Sequence, residues 1–359
     1  MLVNIENLLR ENIKRLTPYS SARDEFKGEA SILLDANENA FGSPLPTNYN
    51  RYPDPLQGRL KTKISQVKGV PPEHIFIGNG SDEAIDLLFR AFCRPGVDNI
   101  IIVPPTYGMY EVSANINDVL IKRVPLTSDF QLDLNGIAEA IDEYSKIIFI
   151  CSPNNPTGNA INRSDIETLL NNFNGIVVVD EAYINFARQR SFTQELAEYN
   201  NLVILQTLSK AWGLAGLRIG MAFAASDIIH VFNKIKPPYN INEASQTLAL
   251  QALENVDEIN TWIKTTVAER EKLAASLSTL PFVQHLYPSE ANFILVKMTA
   301  PKAVYNYLVE LGIIVRDRSS VILCEGCLRI TVGTPTENQQ LLNALSGYVS
   351  VNKEQGNTI

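Results

Sequence analysis

The chain has 359 residues, 45% of them apolar and 19% charged, with a formal net charge of −8. Such a length predicts two domains, and the composition is that of a globular protein with a sizeable core. The negative balance, with no run of lysines or arginines, argues against nucleic acid or an anionic membrane as partner. Four cysteines in a chain this long do not make a disulfide scaffold. No apolar run approaches the length of a membrane span, and Met1 to Arg15 lacks the apolar stretch of a secretory signal, so the cytoplasm is the expected location.

Along the chain, Ile5, Leu8, Leu9, Ile13 and Leu16 recur at helical spacing, which predicts an amphipathic helix over 1–18 that Pro18 stops. Residues 35–58 are rich in Asn, Pro and Gly and read as an irregular loop that contacts must order. From about 75 to 225, short apolar runs alternate with helical stretches. The runs are 75–78, 99–103, 146–151, 175–180, 202–209 and 218–224, with helices expected over 81–93 and 164–173. Each run is β-branched and apolar without alternation, the pattern of strands buried on both faces of a mostly parallel sheet. A long helical region over 243–279 follows, and then strand-like pieces between helical ones, which predict a smaller α+β domain. The polar tail NKEQGNTI is expected to fray.

Four segments carry chemistry. In TLSKAWGLAGLRIG (207–220), Lys210 sits just past a strand end, beside Thr207, Ser209 and Arg218. A carbonyl cofactor needs a held, partly desolvated amine, and a phosphate needs hydroxyls and an arginine fork. In VVVDEAYINF (177–186), Asp180 ends an apolar strand, where a carboxylate can pair with a protonated pyridine nitrogen, and Tyr183 follows three residues later. In CSPNNPTG (151–158), a turn places Asn155 at another strand end. In IGNGSDEAIDLL (77–88), Gly78 and Gly80 free the backbone while Ser81 and Asp82 open a helix whose bare N–H groups favour a phosphate. Glu83 stands where a dinucleotide fingerprint requires its third glycine. Tyr107, in PPTYGMY, could stack on a flat ring. Taken singly, Lys210 also reads as a surface lysine, Asp180 as a metal carboxylate or helix cap, and Asn155 as a turn residue.

Together, in this order and spacing, the segments resemble the fold type I pyridoxal-phosphate enzymes of the aspartate aminotransferase superfamily, over essentially the whole chain. The resemblance implies an α/β fold: a large cofactor-binding domain with a mostly parallel central sheet flanked by helices (41–245), a smaller α+β domain (246–359) and an N-terminal arm (1–40) contributing to the small domain and the interface. It implies pyridoxal 5′-phosphate as cofactor, Lys210 as its Schiff-base lysine and proton shuttle, Asp180 at the pyridine nitrogen, and Tyr183 and Asn155 at the ring oxygen. Gly80, Ser81, Asp82, Thr207, Ser209 and Arg218 would surround the phosphate, with Tyr107 on the ring.

LTPYSSAR (16–23), LDANENAFG (34–42), NRYPDP (50–55), VRDRS (315–319) and GCLRITVGT (326–334) are similar to the histidinol-phosphate aminotransferases. That resemblance implies amino transfer from glutamate to imidazole-acetol phosphate, with Arg329 on the substrate carboxylate and Arg316, Tyr19 and Asn37 on the substrate. It also implies a homodimer in which Tyr52 reaches the neighbouring subunit's cofactor phosphate. An ion pair of Arg316 with Asp317 or Glu310 is the plainer reading of that residue. Aromatic aminotransferases and threonine-phosphate decarboxylases share the cofactor segments, and a cofactor-binding regulator without turnover is the reading from another class. Cys324 and Cys327 form a C-x-x-C with no second pair and no nearby histidine, so structural thiols rather than a zinc site are expected. His74, His230 and His285 fall in none of these segments.

Overall fold

The structure, a computed structural model, describes residues 3–19 and 32–354, with side chains to 348. Residues 20–23 of LTPYSSAR and the last five residues of the tail lie outside it.

Seven strands form the main sheet: β1 Ile75–Asn79, β2 Asn99–Ile102, β3 Leu120–Arg123, β4 Ser145–Cys151, β5 Ile176–Asp180, β6 Leu202–Thr207 and β7 Ile219–Ala224. Their spatial order is β1-β7-β6-β5-β4-β2-β3. Neighbours from β6 through β3 run parallel, whereas β7 is antiparallel to both β6 and β1. The apolar runs lack alternation because both faces are covered. Ile148, Ile150, Val177, Val179 and Ile204 pack into one core. Their chain neighbours Ile147, Phe149, Val178, Val203 and Leu205 pack into another on the opposite face. The fold is therefore α/β with a mostly parallel central sheet between helices. A second, antiparallel sheet has the order β10-β11-β9-β8, with β8 Val283–Leu286, β9 Phe293–Met298, β10 Arg316–Asp317 and β11 Cys327–Thr331. It encloses its own core with the helices Val256–Leu277, Pro301–Glu310 and Pro335–Glu354.

One local expectation is corrected, one is refined and one strand is added. The helix expected over 1–18 is two short ones, Ile5–Leu8 and Glu11–Arg15. Between them Arg10 is extended and gives its N–H to the Ala91 carbonyl, so a tertiary contact interrupts the helical run. The region 243–279 is likewise broken, into Glu243–Ala252 and Val256–Leu277. Strand β3 was not expected at all: it is a partly exposed edge strand of sequence LIKR, whose polar residues hide a strand's apolar signature.

Candidate active site

The topology brings the ends of separate strands to one edge of the sheet. Because β7 runs backwards, its first residues meet the last residues of β1, β4, β5 and β6 there, the edge at which open α/β sheets bind ligands. A cavity of about 590 Å³ lies along this edge. Gly80, Ser81, Asp82, Tyr107, Asn155, Asp180, Tyr183, Thr207, Ser209, Lys210 and Arg218 all line it, as do Arg316 and Arg329 from the second sheet.

Asp180 ends β5 and is 2% exposed. Its Oδ2 accepts the Tyr110 hydroxyl at 2.8 Å and its Oδ1 accepts the Ala182 N–H at 3.1 Å. Burial pushes the carboxyl up to about 6, against the pull of those two donors. Lys210 follows β6, its ammonium 5.7 Å from the Tyr183 ring centre. Desolvation lowers its pKa, helped by Arg329 and opposed by Asp180. That trend favours a neutral amine, the form able to attack a carbonyl or accept a proton. Burial pushes the Tyr183 phenol up, so it stays protonated as a donor.

At one end of the cavity is a cradle for a phosphate. Gly80 has φ +72° and gives its N–H to the Arg218 carbonyl at 2.7 Å. A side chain on Gly80 would meet the Arg218 guanidinium at 2.6 Å. Gly220 pairs with Gly78 on β1 and Thr207 on β6, and a Cβ there would lie 2.1 Å from the Gly80–Ser81 backbone. Two glycines thus let strand, loop and arginine close together around the N-terminus of the helix Ser81–Phe92. Arg218 itself has a left-handed backbone, φ +56°. Asp82 bridges the rim, accepting the Tyr107 hydroxyl at 3.2 Å and facing Arg218 Nη2 at 3.4 Å.

At the other end, β10 and β11 pair Arg316 directly opposite Arg329. Asn155 Oδ1 accepts from Arg329 Nη1, tying the two sheets across the cavity. Arg316 lines the cavity and pairs with neither Asp317 nor Glu310 among the described ion pairs, which corrects the plainer reading of that residue.

Three expected residues lie elsewhere in this chain. Tyr52 stacks on Tyr239 with ring centres 4.5 Å apart, and both sit with Tyr19 and Asn37 in a separate surface hollow. Sequence reading missed Thr106, Cys151, Tyr110 and Arg318, of which all but Tyr110 line the cavity. Tyr110 and Arg318 stand inside the quoted segments PPTYGMY and VRDRS, but no spacing rule singles them out. The three histidines do not line the cavity. Cys324 and Cys327 are buried free thiols, which burial pushes up to about 12 and about 11.

The family model for aminotransferase class I and II matches residues 33–345. The chain belongs to this aminotransferase family. It is 57% identical to the histidinol-phosphate aminotransferase of Cytophaga hutchinsonii, across 97% of this chain and 100% of that one. It is 53% identical to that of Parabacteroides distasonis, across 95% and 98%. Among solved structures, the histidinol-phosphate aminotransferase from Sinorhizobium meliloti in complex with pyridoxal-5′-phosphate superposes with a TM-score of 0.75. That likeness covers 86% of this aminotransferase and 88% of the other, at 23% identity, and is one of fold.

Proposed function

We propose that this aminotransferase moves the amino group of glutamate to imidazole-acetol phosphate, giving L-histidinol phosphate and 2-oxoglutarate, with pyridoxal 5′-phosphate as cofactor. The observation that carries the reading is the opposition, across one cavity, of the Lys210–Asp180 pair and its phosphate cradle to the arginines of the second sheet. The near-full-length relatives named for this activity support it.

The residues fit the cofactor. The Gly80–Ser81 turn, Arg218, Thr207 and Ser209 match a phosphate, and the buried Asp180 matches a pyridinium nitrogen. The buried Thr106 hydroxyl lines the same cavity without a hydrogen-bond partner, a polar atom left for a ligand. Pyridoxal phosphate, when bound, supplies the electron sink for breaking a bond at the substrate Cα. The chain supplies the rest. Lys210 would hold the cofactor through its amine and would move the proton at Cα. Asp180 would keep the ring nitrogen protonated, Tyr183 and Asn155 would donate to the ring oxygen, and Tyr107 would cover the ring face. Arg329 would bind the α-carboxylate of glutamate and, with Arg316, the phosphate of histidinol phosphate.

The working unit in this reading is a homodimer in the cytoplasm, with a large domain over 41–245, a small one over 246–359 and an N-terminal arm over 1–40. Ile32, Leu34 and Phe41 are 75%, 84% and 102% exposed, an apolar display that a second subunit would cover. Tyr19, Asn37 and Tyr52, gathered in one surface hollow, would then serve the partner's cavity. No helix among the described residues is long and apolar enough to cross a membrane.

The test is a panel of amino donors: histidinol phosphate, phenylalanine, tyrosine and threonine phosphate, with cofactor absorbance followed for each. Histidinol phosphate is expected to lead phenylalanine and tyrosine by at least about tenfold in kcat/KM. Arg316→Ala is expected to erode that lead. Equal use of the aromatic amines, or decarboxylation of threonine phosphate as the main reaction, overturns the assignment.

A further inference from the structure

We propose that Arg318 is a specificity-determining residue that forms, with Arg316, a two-guanidinium seat for a dianion, so that this site selects a phosphate monoester over a group of equal shape and single charge. The inference rests on the histidinol-phosphate reading and adds a residue to it.

The geometry starts in the second sheet. Arg316 and Arg318 stand two residues apart on the segment that pairs with β11, because the ladder continues past β10 through the Arg318 N–H to the Cys327 carbonyl at 2.9 Å. Two residues apart on extended chain means the same face. Arg329 lies directly across from Arg316, so three guanidiniums share one wall of the cavity. Asp317, between the first two, does not line it; its carboxylate accepts the Ser319 N–H at 2.8 Å.

None of the three guanidiniums forms an ion pair among the described residues, and Nε of both Arg318 and Arg329 is buried without a partner. Burial lowers the pKa of Arg318 and Arg329, and the neighbouring arginines add to it, against the opposing pull of Tyr183 on Arg329 and of Cys324, Asp317 and Tyr183 on Arg318. Such a cluster is unfavourable until an anion enters it. Arg329 already donates to Asn155, and its charge bears on Lys210. In histidinol phosphate the phosphate hangs by one CH2 from the aminated carbon, where glutamate carries its α-carboxylate, so it would enter beside Arg329 with Arg316 and Arg318 left to take its further charge. A phosphate monoester brings about −1.5 to −2 charges at neutral pH, enough for two guanidiniums. A sulfate monoester has the same tetrahedral shape with one charge.

The experiment compares kcat/KM for histidinol phosphate and for the sulfate ester of histidinol, in wild type, Arg318→Gln and Arg318→Lys. The wild type is expected to prefer the phosphate by at least about tenfold. Arg318→Gln should bring the ratio towards unity, chiefly through KM for the phosphate ester, while Arg318→Lys, which keeps the charge, should retain part of it. An equal loss on both esters, as from mere damage to the hairpin, leaves the ratio intact and overturns the proposal. So does an unchanged ratio in a fully active Arg318→Gln. A wild type that turns over neither ester overturns the histidinol-phosphate reading and this inference with it. A wild type that uses the phosphate amine well, with a ratio indifferent to Arg318, removes the inference alone.

Discussion

The Tyr110 hydroxyl donates to Asp180 Oδ2 at 2.8 Å, inside a core where the tyrosine is fully buried and stacks on Phe149. This donor, with the Ala182 N–H and the charge of Lys210, opposes the upward push of burial on the carboxyl. Tyr110→Phe keeps the packing and removes the bond. Hydrogen bonds to a charged group are worth about 1.5–3 kcal/mol, so the Asp180 pKa should rise further above its ordinary value. The carboxylate then protonates sooner as pH falls, and the acid limb of cofactor affinity should move to higher pH. Affinity titrations of both proteins between pH 5 and about pH 8 would check this; superimposable profiles would show that Tyr110 only packs.

Lys210→Ala is expected to bind pyridoxal phosphate through the intact cradle yet lack the absorption band of lysine-bound cofactor. Transamination should drop by at least about 10²–10⁴-fold, the usual worth of a positioned acid–base group. Absorbance spectra and single-turnover rates decide it. Turnover near the wild-type level would remove Lys210 from its assigned role.

Gly220→Ala tests the cradle without touching a charged residue. The new methyl would lie 2.1 Å from backbone atoms of Gly80 and Ser81, neither of which can swing aside as a side chain can. Relief requires β1 and its loop to move, and overpacking of this kind costs about 1–3 kcal/mol. Cofactor dissociation should quicken and the apo-protein should melt earlier. An unaltered dissociation rate would mean that the Gly80–Ser81 turn does not grip the phosphate.

Shared sites are tested by complementation. Tyr52→Ala and Lys210→Ala homodimers should each be crippled, and mixing them should restore activity through heterodimers that contain one site with both residues intact. If subunit exchange is verified by mass and activity stays absent, each site is built from a single chain.

Much of this was legible in the sequence because the cofactor residues travel in short segments that follow strands. Lys210, Thr207, Ser209 and Arg218 lie within twelve residues of chain, and a strand end followed by a polar turn marks each of the other groups. What stayed hidden depends on contacts between distant segments. Tyr110 is 70 residues from the carboxylate it serves, and a tyrosine within an apolar helix gives no sign of it. Arg318 stands in a recognisable segment, but its buried, unpartnered Nε emerges only once the hairpin is folded. The break at Arg10 depends on the Ala91 carbonyl, which no local propensity encodes. β3 shows only half of a strand's apolar surface because it closes the sheet's edge.

The reversal of β7 has a mechanical consequence. A strand running with the others would have needed a crossover to bring an arginine back to the edge where Lys210 sits; the antiparallel return does it in a single connection over 208–218. The amine that would grip the ring and the guanidinium that would grip the phosphate are thereby leashed to each other by seven intervening residues, flanked by strands already zipped together. The arginines of the second sheet have no such leash. Sliding or tilting of that sheet would resize the opening for substrate while the distance between the cofactor's two moorings stays the same.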